Sequence, residues 1–400
     1  MMLTGFFLAP FLVHHLGLTG YGVWTLVISL TGYFGMLDLG MRQSVGRFVS
    51  RYVALSDHQN VNATLSTAVA MLAGAGAIVL LLMITLRSSL HLFHIEQQFE
   101  GPAKIAILIA SLNISLALPL SVFSTVLLAL ERFDVIAGVS IIGALSRAAA
   151  AVVVLTHGGG IVALALVTLS VSSAEYMATA TAAKLLYPAL RVRASLVTRK
   201  RCGELFGFGI YRFLWVISNQ LIFYTDSVVI GAFLNAGAIT YYAIAGNLVN
   251  YGRSIVSLAS DTLFPAATKL DAQGDKRGLQ ELHVFGTTVA LMVGLPLCAG
   301  FFFLGRQFIT LWMGAGYNQS ALLLIVLTIP QIFSMAQYVS ALILVSMARH
   351  RILALIALFE GIANLALSIV LVRKYGLIGV AWGTVIPHVI SMAVVVPIYT

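Results

Sequence analysis

The sequence predicts an all-α membrane protein with about 12 transmembrane helices in two six-helix bundles related by a parallel pseudo-twofold axis. Three observations predict it. The chain is too apolar for a soluble surface, its apolar runs recur at membrane-spanning length, and its two halves register on one another at a constant offset.

Hydrophobic residues make up 60% of the chain and charged residues 9%, with a mean hydropathy of +0.99. A soluble globule cannot cover that much apolar surface, so the solvent is a bilayer. Each crossing takes roughly 20 residues, so 400 residues leave no room for a large soluble domain. The formal charge of +9 would suggest nucleic acid in a soluble protein. Here the Lys and Arg residues sit in short loops between apolar runs and act as topology signals, so no nucleic-acid partner is expected. Cys202 and Cys298 have neither metal-ligand spacing nor a disulfide framework, and no metal or cofactor is predicted. Residues 1–13 lack the positive region and cleavage site of a signal peptide and are too short to span alone, which reads as a truncated first helix.

The apolar runs place helices at 2–13, 21–41, 62–86, 103–130, 135–156, 161–183, 204–233, 239–264, 281–304, 319–346, 352–372 and 376–397. Pro119, Pro296, Pro330 and Pro387 predict kinks or local unwinding. Loop charges then give the orientation. One side carries 15 Lys and Arg residues, including Arg42, Arg47, Arg51, Arg132 and the cluster from Lys184 to Arg201. The other carries 5, namely Arg87, Lys104, Arg306, Arg373 and Lys374. The richer side is predicted to be cytoplasmic, with both termini on it.

Laid on itself with an offset of 218, the chain registers without gaps. Leu16 meets Leu234, Tyr33 meets Tyr251, Arg51 meets Lys269 and Asp57 meets Asp275. Gly143 meets Gly361, Gly158 meets Gly376, and Val162-Ala163 meets Val380-Ala381. Two parallel copies follow, residues 1–183 and 204–400, joined by a basic cytoplasmic linker at 184–203, with the cleft between the halves as the natural binding site.

Charges inside the apolar runs are costly and must face protein or water, so they mark the site. At 1.5 Å per residue, Arg212, Glu360 and Glu175 lie about 12 Å inward from the cytoplasmic helix ends, and Arg147 and Arg253 about 17 Å. None of these charges obeys the repeat: Arg253 matches Gly35, Arg147 matches Leu365, and Glu360 matches Ile142. All three intramembrane cations are Arg, whose forked donors suit phosphate oxygens, and a pyrophosphate fits that chemistry. Arg147, Arg212, Arg253, Glu175 and Glu360 are therefore the substrate-binding candidates. Structural readings stand beside this one: Arg147 pairing with Glu175 or Glu360, and Arg212 snorkelling to the interface. Asp226 and Glu175 are candidates for ion or proton coupling, because burial raises a carboxyl's pKa toward neutrality. The linker and the loop arginines are read as topology anchors that also meet anionic lipid headgroups. His14, His15, His91, His94 and His157 share no helical face and read as interfacial.

A membrane-embedded polysaccharide-biosynthesis enzyme would need a positioned acid, base or metal in an extramembrane pocket. No loop here exceeds about 20 residues and no Asp-x-Asp or His-rich cluster occurs, so no catalytic residue is assigned.

The stretch Leu16-Gly17-Leu18-Thr19-Gly20-Tyr21-Gly22-Val23-Trp24, with Leu37-Asp38-Leu39-Gly40 and Arg47-Phe48, resembles the N-terminal signature of O-antigen-type polysaccharide flippases of the MOP exporter superfamily. Asp226 to Gly231, Tyr241 to Ile244, and Phe264-Pro265 ahead of Asp271 to Asp275 extend the likeness through the second half. These are scaffold motifs that mark the family better than the substrate. The resemblance implies a MATE-like pair of six-helix bundles, alternating access, and export of an undecaprenyl-diphosphate-linked oligosaccharide across the inner membrane. Lipid-linked oligosaccharide, membrane lipids and polysaccharide assembly proteins are the implied partners. A lipid II flippase is the nearest alternative; a MATE-type multidrug exporter would favour a more acidic cavity.

Overall fold

The computed structural model describes residues 2–38, 40–347 and 350–399, except the side chains at 206–215, 219, 223, 259, 350 and 351. Among the described residues the chain is helical throughout, without strands. The helices are α1 (Met2–Phe34), α2 (Met41–Ala54), α3 (His58–Ser88), α4 (Gln97–Leu120), α5 (Phe123–Ala129), α6 (Phe133–Thr156) and α7 (Ile161–Leu186). They continue as α8 (Arg199–Phe233), α9 (Ala236–Asp261), α10 (Phe264–Ala272), α11 (Lys276–Met313), α12 (Asn318–Ser346), α13 (His350–Ile390) and α14 (Val396–Tyr399). Among the described residues, eight spans are long and apolar enough to cross a bilayer, or nine with the bent pair 216–222 and 224–233 in α8. The expected all-α membrane class is borne out. α9 is not among these spans because Tyr241, Tyr242, Asn247, Asn250 and Arg253 lower its hydropathy.

Two of the expected loops are single-residue breaks. The helical path runs on through 14–20, interrupted at Gly17 (φ 72°, ψ 175°), and α13 is interrupted at Gly376 (φ 59°, ψ −137°). Such backbone conformations favour glycine, which has no Cβ to clash. Of the four prolines expected to disturb helices, Pro119 precedes the break between α4 and α5, and Pro387 precedes a π-helical stretch, Ser391–Val395. Pro296 and Pro330 lie inside uninterrupted helices.

The chain divides into two compact units, Met1–Val216 and Ile217–Thr400. In the first, α4 packs on α3, α7 and α1, while α6 packs on α7. In the second, α12 packs on α11, α9 and α13. Lipid offers no hydrophobic drive for helix association, so close approach of backbones matters. At Gly76 an added Cβ would lie 2.7 Å from the Ser115 carbonyl oxygen of α4; at Gly294 it would collide with Met335 of α12. Those two glycines are also 218 residues apart.

The same offset reappears in the local backbone. Ser56 (φ 54°) and Gly274 (φ 68°) occupy the same left-handed turn, and Gly158 (φ 82°) and Gly376 (φ 59°) both take positive φ, after α6 and within α13. Asp57 caps α3 by accepting from the Asn60 amide at 3.0 Å, and Asp275 caps α11 by accepting from the Gly278 amide at 2.9 Å. Each cap satisfies a helix-end donor that otherwise lacks a partner. The backbone hydrogen bond from Asn60 holds the Asp57 carboxyl below the usual carboxylate range.

The basic linker is fastened to the first unit by polar contacts. Asn62 on α3 donates to the Ala189 carbonyl (2.9 Å) and accepts from the Arg191 amide (2.9 Å), so its side chain acts as a peptide partner for the extended chain. Ser66 accepts from the Arg193 amide (3.1 Å), and Lys184 donates to the Pro188 carbonyl (2.9 Å). Arg201 meets Tyr52, Asn60 and Glu204. Of the linker cations, Lys184 and Arg201 thus have work within the fold, while the Arg191 and Arg193 side chains lie on exposed residues.

Candidate functional site

In the first unit the structure brings Arg147 of α6 and Glu175 of α7 together. Arg147 Nη2 lies 3.0 Å from Glu175 Oε2 and 3.3 Å from Ser172 Oγ. Gly143, one turn before Arg147, is what admits the carboxylate: a Cβ there would occupy the space of Glu175 Oε1. The pair is joined by one contact rather than a fork. Arg147 Nε and Glu175 Oε1 are both buried, with no hydrogen-bond partner among the described residues. A guanidinium held at one nitrogen retains donors for a second oxygen-rich group.

In the second unit Glu360 of α13 is buried, and its carboxylate is an electrostatic neighbour of Arg253 of α9. Glu360 has a further partner. His388, on the same helix beyond Gly376, places Nδ1 2.5 Å from Glu360 Oε1, and its Nε2 lies 2.6 Å from Ser334 Oγ of α12. The Arg212 side chain lies outside the described residues.

Asp226 is held by neutral partners. Its Oδ2 accepts from Tyr242 Oη at 2.5 Å and from Thr384 Oγ1 at 2.8 Å, while Oδ1 is buried with no hydrogen-bond partner among the described residues. Asn364 donates to Thr384 Oγ1 at 3.4 Å and accepts from Ser368 Oγ at 3.2 Å. The result is a buried, oxygen-rich cluster around one carboxyl. Its bare oxygen is where a proton or a small hard cation would be held.

The predicted site residues therefore fall into three groups: Arg147 with Glu175, Arg253 with Glu360, and Asp226 with neutral partners. Sequence reasoning missed His388, Ser334, Tyr242, Thr384 and Asn364. One signal was available: His388 follows a proline inside an apolar run, and an ionisable residue there warrants the same attention as an arginine. Tyr242 and Thr384 gave none, because aromatics and threonines occur throughout such helices.

Solved structures share this architecture. The chain superposes on a multidrug resistance MATE family transporter of the MOP superfamily with a TM-score of 0.85, at 13% identity over 98% of this chain and 92% of that one. It superposes on the lipid II flippase MurJ with a TM-score of 0.73, at 18% identity over 99% of this chain and 87% of that one. The fold is the one shared by these MOP-superfamily transporters. The chain belongs to the polysaccharide biosynthesis protein family, whose pattern matches residues 16–322. It is 22% identical to the membrane protein EpsK of Bacillus subtilis, over 98% of this chain and 78% of that protein. It is also 22% identical to a putative O-antigen transporter of Shigella flexneri, over 93% of this chain and 87% of that protein. The resemblance drawn from Leu16 to Trp24 and the later motifs is borne out at the level of the family.

Proposed function

We propose that the protein is a flippase that carries an undecaprenyl-diphosphate-linked oligosaccharide across the bacterial inner membrane for cell-surface polysaccharide synthesis. The observation that carries this reading is the family match across residues 16–322. Relatives named as a putative O-antigen transporter and a probable low-salt glycan biosynthesis flippase, the latter from Haloferax volcanii, support it. The residues supply the chemistry. Arg147 and Arg253 are guanidinium groups set beside carboxylates, and a diphosphate offers them the same oxygen geometry in exchange. Arg212 is proposed to serve alongside them. Asp226, with its bare Oδ1, and Glu175 are the proposed coupling groups. A lipid II flippase shares this diphosphate chemistry and is the second reading, favoured by the likeness to MurJ.

Transport is tested with the purified full chain in proteoliposomes holding a fluorescent undecaprenyl-diphosphate oligosaccharide. The expected result is that label moves from the protected to the quencher-accessible leaflet faster than in protein-free vesicles. Movement of ethidium with none of the lipid would replace this reading by the multidrug exporter; movement of neither would remove it.

Topology is tested by single-cysteine labelling after replacing Cys202 and Cys298. Positions 56–60 and 192–198 are expected to label from the cytoplasmic side, and 157–160 and 235–237 from outside. These segments include exposed residues such as Ser56, Ala194, His157 and Asn235, so the reagent can reach them. Labelling of 192–198 from outside would reverse the orientation.

A further inference from the structure

We propose that Glu360, His388 and Ser334 form a proton-binding site in the second unit, whose occupancy sets how strongly Arg253 is held. The proposal rests on the transport reading above and adds a coupling ion and its location.

The geometry is a buried relay. Glu360 is 6% and His388 8% exposed, with His388 Nδ1 2.5 Å from Glu360 Oε1 and Nε2 2.6 Å from Ser334 Oγ. Ser334 Oγ also lies 2.9 Å from the Pro330 carbonyl oxygen. The hydroxyl hydrogen therefore has two acceptors in reach, and its choice matches the protonation of the ring. With the pair unloaded, His388 donates Nδ1–H to the Glu360 carboxylate, and Ser334 donates its hydroxyl hydrogen to the Nε2 lone pair. A proton taken from hydronium in the aqueous phase forms an N–H bond at Nε2 and leaves water behind. That N–H then donates to Ser334 Oγ, whose hydrogen turns to the Pro330 carbonyl. Both states keep a hydrogen bond at each ring nitrogen without moving a heavy atom, so neither leaves a ring nitrogen unpaired.

Helix irregularities surround the site. Pro387 directly precedes His388 and the π-helical stretch Ser391–Val395 follows it, while Pro330, one turn before Ser334, leaves α12 uninterrupted. π-Helical segments occur mostly at functional sites, and missing backbone donors let helices shift locally. Glu360 is seated where α8 crosses α13, with Leu221 and the Ser218 carbonyl against Gly361. Arg253 of α9 is an electrostatic neighbour of Glu360 and of Tyr338 of α12, and Asp226 of α8 lies one helical turn along α13 from the pair, where Thr384 and Asn364 join it. Tyr338 in turn donates to Asp261 at the end of α9 (3.0 Å).

The charge arithmetic gives the coupling. Unloaded, the pair carries one negative charge facing Arg253; loaded, it is neutral. Proton uptake thus weakens the pair's electrostatic attraction for the guanidinium and favours an anionic diphosphate there, while diphosphate binding at Arg253 favours loading by the reciprocal linkage.

The test is infrared difference spectroscopy of the full chain in lipid nanodiscs, without substrate, between about pH 5 and pH 8. The parent is expected to show an imidazole ring band that titrates and is lost in His388→Gln. In the isosteric Glu360→Gln and in Ser334→Ala, the midpoint of that band is expected to move by about 1 pH unit or more. The proposal is overturned if His388→Gln removes no titrating band, or if Glu360→Gln leaves the midpoint unchanged. In the proteoliposomes, an imposed proton gradient is expected to change the parent's flipping rate and not that of Glu360→Gln. A parent that flips lipid at a rate insensitive to the gradient overturns the proposal and preserves the transport reading. A parent that flips none overturns the transport reading, and spectroscopy then decides the proton site by itself.

Discussion

Replacement of Arg147 by Gln is expected to lower flipping of the diphosphate-linked oligosaccharide by about tenfold or more, as loss of a charged hydrogen bond worth roughly 1.5–3 kcal/mol implies. The guanidinium spends one nitrogen on Glu175 Oε2 and Ser172 Oγ and keeps Nε buried without a partner among the described residues. Arg147→Lys keeps the charge and loses the fork, so its activity should fall between parent and Gln. Removing Arg147 also strands Glu175 as a poorly compensated carboxylate, and that effect must be separated from substrate contact. The double replacement Arg147→Gln with Glu175→Gln separates them, since it restores electrical balance without restoring a phosphate donor. It should recover thermal stability and remain inactive. If the double variant flips lipid at the parent rate, the pair is structural and phosphate capture by Arg147 should be abandoned.

The second large effect is expected at the turn inside α13. A Cβ on Gly379 would lie 2.6 Å from the Leu371 carbonyl carbon and 3.1 Å from the Val372 amide nitrogen, and closer still to the Leu371 carbonyl oxygen. These are backbone atoms of the preceding helical segment, held by buried Val372, Val380 and Ala381, so no side-chain rotation relieves the contact. Gly379→Ala should therefore cost about 1–3 kcal/mol or more, the usual range for overpacking. The measurement is the fraction of detergent-solubilised protein that stays monodisperse after heating. Gly300→Ala in α11, where an added Cβ meets nothing within 4 Å, should match or exceed the parent. Equal heat survival of Gly379→Ala and the parent would refute the close approach at this turn.

What was legible in the sequence was whatever depends on local backbone. A glycine at Gly158 and Gly376, and an Asp one residue after a turn at Asp57 and Asp275, each announce a conformation that few other residues supply, and the fixed offset doubles the signal. The break at Gly17 was harder to place, because His14 and His15 resemble a loop although their ring nitrogens bond back to the helical carbonyls of Pro10 and Phe11. Site residues were legible as charges and illegible as constellations. Arg147 and Glu175 stand out by composition, whereas Asp226 collects partners 16 and 158 residues away whose side chains are common in any membrane helix. Glu360 was found, and His388 beside it was not, because only packing within the second unit brings them together.

Gly143 and Gly361 hold the same place in the two halves, yet what fills the space beside them differs. In the first half the occupant is the Glu175 carboxylate; in the second it is Leu221, with a backbone carbonyl behind it. A missing side chain behaves as a socket: it specifies clearance and leaves the identity of the plug open. The plugs come from non-equivalent helices, Glu175 from α7 and Leu221 from α8, so each half meets the same clearance with a different neighbour. Which helix supplies the plug then sets the chemistry, and a repeated frame comes to hold unlike charges.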